Sequence, residues 1–180
     1  MKIGVRDAVL ELIEGDITHQ DTEAIVNAAN TSLLGGGGVD GAIHRAAGPD
    51  LLDECRSLGG CPTGEAKLTR GYRLRAKYVI HTVGPVYRRG DPKVRELLAS
   101  AYRRSMEVAR ENGIRSVAFP SISTGAFRYP LEEAAPLALS TVMEALEHPT
   151  SVKLVRFVLF DRQTLDAYAK ALGRLTGLNS

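Results

Sequence analysis

Apolar residues recur along the chain in two periods. Val94, Leu97, Leu98, Ala101, Ser105, Val108 and Ala109 share one face at spacings of three and four. Lys93, Arg95, Glu96, Arg103, Arg104, Glu107, Arg110 and Glu111 fill the opposite face. This is the pattern of an amphipathic helix, and Asn112-Gly113 supplies its stop. Residues 131–146, rich in alanine, predict a second long helix, in which Pro136 marks either a kink or a later start. A third helix is predicted over 163–175, with Leu165, Tyr168, Ala169, Leu172 and Leu175 as its stripe. Short apolar, β-branched runs predict strands over 8–13, 24–26, 77–83, 116–119 and 152–160. A short helix is expected over 42–47, with Asp40 near its N-terminus, where free backbone N–H groups favour a carboxylate.

From Lys77 onward the predicted order is β, α, β, α, β, α. Apolar strands alternating with amphipathic helices imply a sheet covered on both faces. In such sheets ligands bind where the strands end and the loops begin.

Composition narrows the class without changing that picture. The chain has 180 residues, 44% hydrophobic and 24% charged, which suits one soluble globular domain with a substantial core. The N-terminus meets acidic residues early and does not read as a signal peptide, and no apolar run is long enough to span a membrane. A cytoplasmic location is expected. The formal charge of +2 is too small to argue for a nucleic-acid partner. The densest basic group, Arg70, Arg73, Arg75 and Lys77, reads as a solvated strand edge or loop, with an anionic-polymer footprint as the weaker alternative. Cys55 and Cys61 match neither a zinc site nor a disulfide scaffold and read as packing residues. The histidines are not grouped as metal ligands. His44 falls four residues after Asp40 on the same helix face, and His81 reads as a hydrogen-bonded core residue.

Three segments carry candidate chemistry. Gly15-Asp16-Ile17-Thr18 follows the first predicted strand. Asn27, Asn30 and Asp40 flank four consecutive glycines, Gly35 to Gly38. Ser121 to Phe127 follows the strand ending at Phe119. Contiguous glycines are entropically expensive to order, and their physical use is a loop whose N–H groups approach an anion unobstructed. The run is neither a GxGxxG dinucleotide fingerprint nor a P-loop. Ser121, Ser123, Thr124 and Gly125 offer hydroxyl or backbone donors to phosphate. Phe127, Tyr129 and Phe160 are aromatics at loop positions where a base or ribose can pack.

The chain resembles macro domains of the MacroD-like group, which includes bacterial O-acetyl-ADP-ribose deacetylases. The resemblance rests on GDIT at 15–18, IVNAAN at 25–30, LLGGGGVDGAIHRAAG at 33–48, TGEAKLTRGYRL at 63–74, YVIHTVGP at 78–85 and STGAFRYP at 123–130. It implies a three-layer α/β/α macro domain over residues 1–176, with a mixed, mostly parallel sheet, and a short polar tail over 177–180. It implies an ADP-ribose cleft in which Asp16 accepts from the adenine amino group and Ile17 lines the adenine pocket. Asn30 holds the distal ribose, and Asp40 is the catalytic-loop aspartate. Gly37, Gly38 and Val39 lie near that ribose and the diphosphate. Ser123, Thr124, Gly125 and Ala126 form the phosphate loop, Phe127 meets the distal ribose, and Phe160 packs on adenine.

The activity so implied is hydrolysis of esters of ADP-ribose, either O-acetyl-ADP-ribose or mono-ADP-ribose on acidic protein side chains, with no cofactor and no metal. Asp40 either removes a proton from water or orients it, and Asn30 positions ribose and water. A non-catalytic ADP-ribose-binding module is the alternative from a different class. An RNA- or poly(ADP-ribose)-binding protein and an ADP-ribose 1″-phosphatase rank below both.

Overall fold

The computed structural model describes residues 1–177, so the last three residues of the expected tail lie outside the described residues. Seven strands form one sheet in the order β1-β2-β7-β6-β3-β5-β4. They are β1 (Lys2–Val5), β2 (Ala8–Glu14), β3 (Ala24–Ala28), β4 (Ala66–Arg70), β5 (Tyr78–Thr82), β6 (Ser116–Phe119) and β7 (Leu154–Leu159). The interior pairs β2–β7, β7–β6, β6–β3 and β3–β5 are parallel. Only the edge pairs β1–β2 and β4–β5 are antiparallel. The sheet is therefore mixed and mostly parallel.

Five helices cover it: α1 (Gly38–Ala47), α2 (Pro49–Leu58), α3 (Pro92–Glu111), α4 (Leu131–Glu147) and α5 (Arg162–Thr176). Strand alternation divides the apolar side chains into two cores. Val26, Ile80, Phe119 and Phe157 pack with Leu98, Leu139 and Leu172 of α3, α4 and α5. Ile25, Val79 and Ala118 pack with Ile43, Leu51 and Cys55 of α1 and α2. The result is the three-layer α/β/α arrangement.

The long helices form where the pattern predicts them, and their ends have local causes. Asp91 caps α3 by accepting from Lys93 N at 2.9 Å, with Pro92 in the first turn. Asp161 caps α5 by accepting from Thr164 N at 2.8 Å, which ends β7 at Leu159 rather than at residue 160. Helix α4 starts at Leu131 and runs through Pro136. Pro136 has no N–H to donate to the carbonyl of Glu132, so that one i→i−4 bond is missing while the helix continues. Helix α1 starts at Gly38, four residues before the expected boundary. The last glycine of the run is thus its first residue, and Asp40 lies inside the first turn.

Beyond the expected elements lie β1, β4 and α2. Arg70 ends β4 on the sheet edge, and Arg73, Arg75 and Lys77 occupy the loop before β5. This is the solvated-edge arrangement. Both cysteines are buried and free, as expected of packing residues. No helix among the described residues is long and apolar enough to cross a membrane.

Candidate functional site

Every predicted site segment follows the C-terminal end of a parallel strand. Gly15, Asp16 and Ile17 follow β2, residues 29–37 follow β3, residues 120–130 follow β6, and Phe160 follows β7. The topology therefore gathers them at one end of the sheet.

The connection from β3 to α1 is the most constrained. Asn30 donates from Nδ2 to Gly35 O at 2.8 Å and accepts from Ser32 Oγ at 2.6 Å. Its carboxamide is thereby fixed, while the residue stays partly exposed. Asp40 is only 4% exposed. Its Oδ1 accepts from Asn27 Nδ2 at 2.9 Å, and His44 Nε2 approaches that oxygen at 3.4 Å. Its Oδ2 is buried with no hydrogen-bond partner among the described residues.

Gly36 explains how these two groups meet. A Cβ there would stand 3.1 Å from Asp40 Oδ2 and 3.3 Å from Asn30 Nδ2. Glycine thus keeps a gap between a carboxylate acceptor and a carboxamide donor. Gly41 is required for a different reason, since a Cβ would meet the carbonyl oxygen of Gly36 at 2.5 Å. The helix packs backbone against its own entry loop. Gly37 and Gly38 are exposed and Val39 half-buried at the helix start, where the first N–H groups have no intrahelical acceptor.

Asn27 occupies a different place from the one expected. It is fully buried on β3, and its amide reaches Asp40 from behind. Strand alternation directs it into the layer between sheet and α1, so its side chain braces the site and does not face a ligand. In the same layer lies His81, also fully buried. It is a hydrogen-bonded core residue, with Nδ1 3.1 Å from Asn27 Nδ2 and Nε2 2.8 Å from Thr69 Oγ1. Burial, reinforced by the charge His44 can carry, pulls its pKa down to about 3, so the ring is neutral near pH 7.

The loop after β6 presents backbone rather than hydroxyls. Ser123 is buried, adopts φ +67°, and donates its hydroxyl to Pro85 O at 2.8 Å. Thr124 Oγ1 donates to Ser121 Oγ at 2.8 Å. The Ser123 and Thr124 hydroxyls are therefore committed inside the protein, while Ser121 Oγ accepts from both Thr124 and Tyr168. The N–H groups of Ser123, Thr124, Gly125, Ala126 and Phe127 have no acceptor among the described residues. Successive free amides are a group of donors that an anion can accept from. Phe127 is half-buried, and Phe160 is 84% exposed beside the end of β7.

Asp16 is exposed and caps the single 3-10 turn Ile17–His19. It accepts from Thr18 Oγ1 at 2.6 Å and Thr18 N at 2.8 Å, and these bonds hold its carboxyl below the usual range. Ile17 is buried beneath it. Concavities of about 580 and 510 Å³ lie beside α3 and α4; Tyr129, a candidate aromatic, lines the first, and none of the other predicted site residues lines either. No cluster of metal-ligating side chains occurs among the described residues.

The sequence pattern singled out the glycine run but not the separate duties of Gly36 and Gly41. It also did not connect Asn27 with His81, because strand register cannot be read from a single strand.

Free amides and a carboxylate–carboxamide pair thus lie at the strand ends of the mostly parallel sheet, a set of groups able to hydrogen-bond phosphate and hydroxyl oxygens. Comparison with known proteins gives the family. The model of the Macro domain matches residues 26–138. The macro domain-containing protein CT2219 of Chlorobaculum tepidum is 58% identical over 166 residues, covering 92% of this chain and 96% of that protein. ADP-ribose glycohydrolase MACROD2 of Xenopus laevis is 53% identical over 176 residues, covering 95% of this chain and 42% of that protein. The structure of the Oceanobacillus iheyensis macrodomain with ADP superposes with a TM-score of 0.95 at 44% identity, covering 99% of this chain and 97% of that one. The chain belongs to the macro domain family, in its MacroD-like group.

Proposed function

We propose that the protein binds ADP-ribose and hydrolyses its esters, removing the acyl group of O-acetyl-ADP-ribose and mono-ADP-ribose from acidic protein side chains. The observation that carries this reading is the gap over Gly36, between Asn30 Nδ2 and Asp40 Oδ2. A donor and a carboxylate acceptor on either side of one small space suit a ribose hydroxyl and an attacking water. The naming of the frog relative as an ADP-ribose glycohydrolase supports the same class.

In this reading Asp16 takes the adenine amino group, Ile17 and Phe160 pack on the base, and the amides of residues 123–127 hold the diphosphate. Phe127 and Val39 pack near the distal ribose. Water, oriented by Asp40, attacks the acyl carbonyl or the anomeric carbon, depending on substrate, and Asn30 fixes the ribose. Amides of Gly37 and Gly38 stabilise the developing oxyanion. With attack at the carbonyl, the acyl C–O bond breaks, the acid carries the water oxygen and the ribose oxygen takes up a proton; with attack at the anomeric carbon, the ribose carries the water oxygen and the carboxylate leaves with both of its own. Every reacting group comes from substrate, water or this chain, so no cofactor or metal enters. The two free, buried cysteines fit a reducing compartment, and we place the protein in the cytoplasm.

The test is release of acetate from O-acetyl-ADP-ribose and of ADP-ribose from aspartyl- or glutamyl-modified protein. Asn30→Ala and Asp40→Ala should each lower kcat by about a hundredfold or more, with cooperative unfolding retained. Wild-type protein at micromolar concentration that binds ADP-ribose yet releases neither product above buffer would leave only a binding module.

A further inference from the structure

Behind Asp40 runs a buried chain of polar groups that the hydrolytic reading does not use. Asn27 on β3 and His81 on β5 are Cα partners in the parallel register, so their side chains stand side by side on one face. Lys67 of β4 is the antiparallel partner of His81, and Thr69 lies two residues further along that same face. Asn27, Thr69 and His81 are all buried. Three strands thus align a hydroxyl, an imidazole and a carboxamide that ends on the Asp40 carboxylate.

The direction of each bond in the chain follows from its anionic end. Asn27 must present N–H to Asp40 Oδ1, because its carbonyl oxygen would be repelled there. Its Nδ2 carries two protons, one for Asp40 Oδ1 at 2.9 Å and one for His81 Nδ1 at 3.1 Å. His81 Nδ1 is therefore an acceptor, and the neutral ring carries its proton on Nε2. That N–H donates to Thr69 Oγ1 at 2.8 Å, and Thr69 passes its own proton to the carbonyl of Arg70 at 3.1 Å. Cys55 Sγ lies 3.8 Å from the same Nε2, and burial pushes its thiol pKa up to about 11, so it brings no negative charge.

The opposite tautomer breaks the chain at its functional end. With a proton on Nδ1, His81 would turn the Asn27 carbonyl toward itself, and Asp40 would lose its one hydrogen bond. Asn27 Oδ1 is buried without a hydrogen-bond partner among the described residues. That cost is borne so that Nδ2 can serve both neighbours.

We infer that His81 and Thr69 are positioning residues: by fixing the proton of His81 on Nε2, they hold the Asn27 carboxamide so that Asp40 Oδ2 stays aimed at the gap over Gly36. Neither side chain touches substrate. The inference rests on the proposed hydrolytic role of Asp40 for its kinetic consequence, but not for the tautomer.

Two measurements on the full chain test it. The first is 15N NMR of the His81 ring in wild type, which should show a protonated Nε2 and a bare Nδ1 across pH 5.5–8. Thr69→Val should raise the Nδ1–H population. The second is kinetics and calorimetry on Thr69→Val and His81→Leu. Both should lower kcat for O-acetyl-ADP-ribose by about tenfold or more, with the Kd of ADP-ribose within threefold of wild type. Thr69→Ser, which restores the hydroxyl, should recover most of the loss. If His81→Leu fails to fold, Thr69→Val carries the test. A wild-type ring protonated on Nδ1 overturns the inference, as does an unchanged kcat in Thr69→Val. If wild type turns over no ester, the hydrolytic reading falls, and the ring tautomer alone decides whether the chain of bonds runs as described.

Discussion

At the scale of single residues, the site is defined by what Gly36 omits. Its φ lies outside the left-handed region, so its backbone conformation does not itself demand glycine. The demand comes from the 3.1 and 3.3 Å approaches of Asp40 Oδ2 and Asn30 Nδ2 to the place a Cβ would take. Gly36→Ala should therefore separate folding from function. The added methyl reduces unfolded-chain entropy, which offsets the tight contact, and stability should stay within about 1 kcal/mol of wild type. The methyl also fills the gap where water and ribose are proposed to meet, and kcat/KM should fall roughly tenfold to a hundredfold. Denaturant midpoints and ester hydrolysis on one preparation check both. Full activity in a well-folded Gly36→Ala protein would show that the gap is not where the chemistry happens.

At the scale of elements, the loop between β6 and α4 depends on two helices packed behind it. Tyr102 of α3 accepts Ile122 N–H at 2.9 Å, and Tyr168 of α5 donates to Ser121 Oγ at 2.9 Å. Both rings are fully buried, and burial raises both phenol pKa values, so both hydroxyls stay protonated. The two contacts differ in what their loss leaves behind. Tyr102→Phe strands a buried N–H and should cost about 1–3 kcal/mol. Tyr168→Phe leaves Ser121 Oγ still bonded to Thr124, and should cost about 1 kcal/mol. Calorimetry with ADP-ribose should show a few-fold loss of affinity for Tyr102→Phe and less for Tyr168→Phe. The reverse order would mean that the Ile122 amide does not anchor the loop.

The elements that sequence could reveal are those with a full apolar face. Helix α3 buries Val94, Leu98, Ala101 and Tyr102 at helical spacing, and β3 and β5 lie inside the sheet. Strands β1 and β4 are edges, paired on one side only, and their mixed sequences KIGV and AKLTR bury little. Helix α2 buries only Leu51 and Cys55 among polar neighbours, and follows α1 with only Gly48 between them. Of the site, the glycine run, Asn30 and Asp40 were legible because polar and glycine-rich segments interrupt an apolar pattern. Asn27 misled for the same reason. A polar residue at a strand end looks like a ligand contact until the register supplies its neighbour.

At the scale of the molecule, His81 ties global stability to pH. Its imidazole is enclosed by β3, β4, α1 and α2, where Asn27, Thr69, His44 and Cys55 are its polar neighbours. In the native state its pKa is depressed to about 3, against an ordinary value of 6.5 once the chain unfolds. Above pH 6.5 both states hold a neutral ring and the residue adds no pH dependence. As pH falls below that value the unfolded chain takes up a proton that the native ring refuses, and stability drops. The slope approaches about 1.4 kcal/mol per pH unit, an upper bound that persists until the native ring itself titrates. Asp16 and Asp161 have depressed carboxyl pKa values, so their contributions vanish only below the ordinary value of 3.8. The interval between 6.5 and about 4 is therefore where His81 acts without them. Urea unfolding at pH 7.5, 6.5, 5.5 and 4.5 should show stability that is level and then falls. His81→Gln, which keeps an acceptor and a donor but no ionising group, should be less stable at pH 7.5 and lose less on acidification. Parallel pH profiles for the two proteins would mean that the native ring accepts a proton as readily as the unfolded one, which its enclosure does not allow.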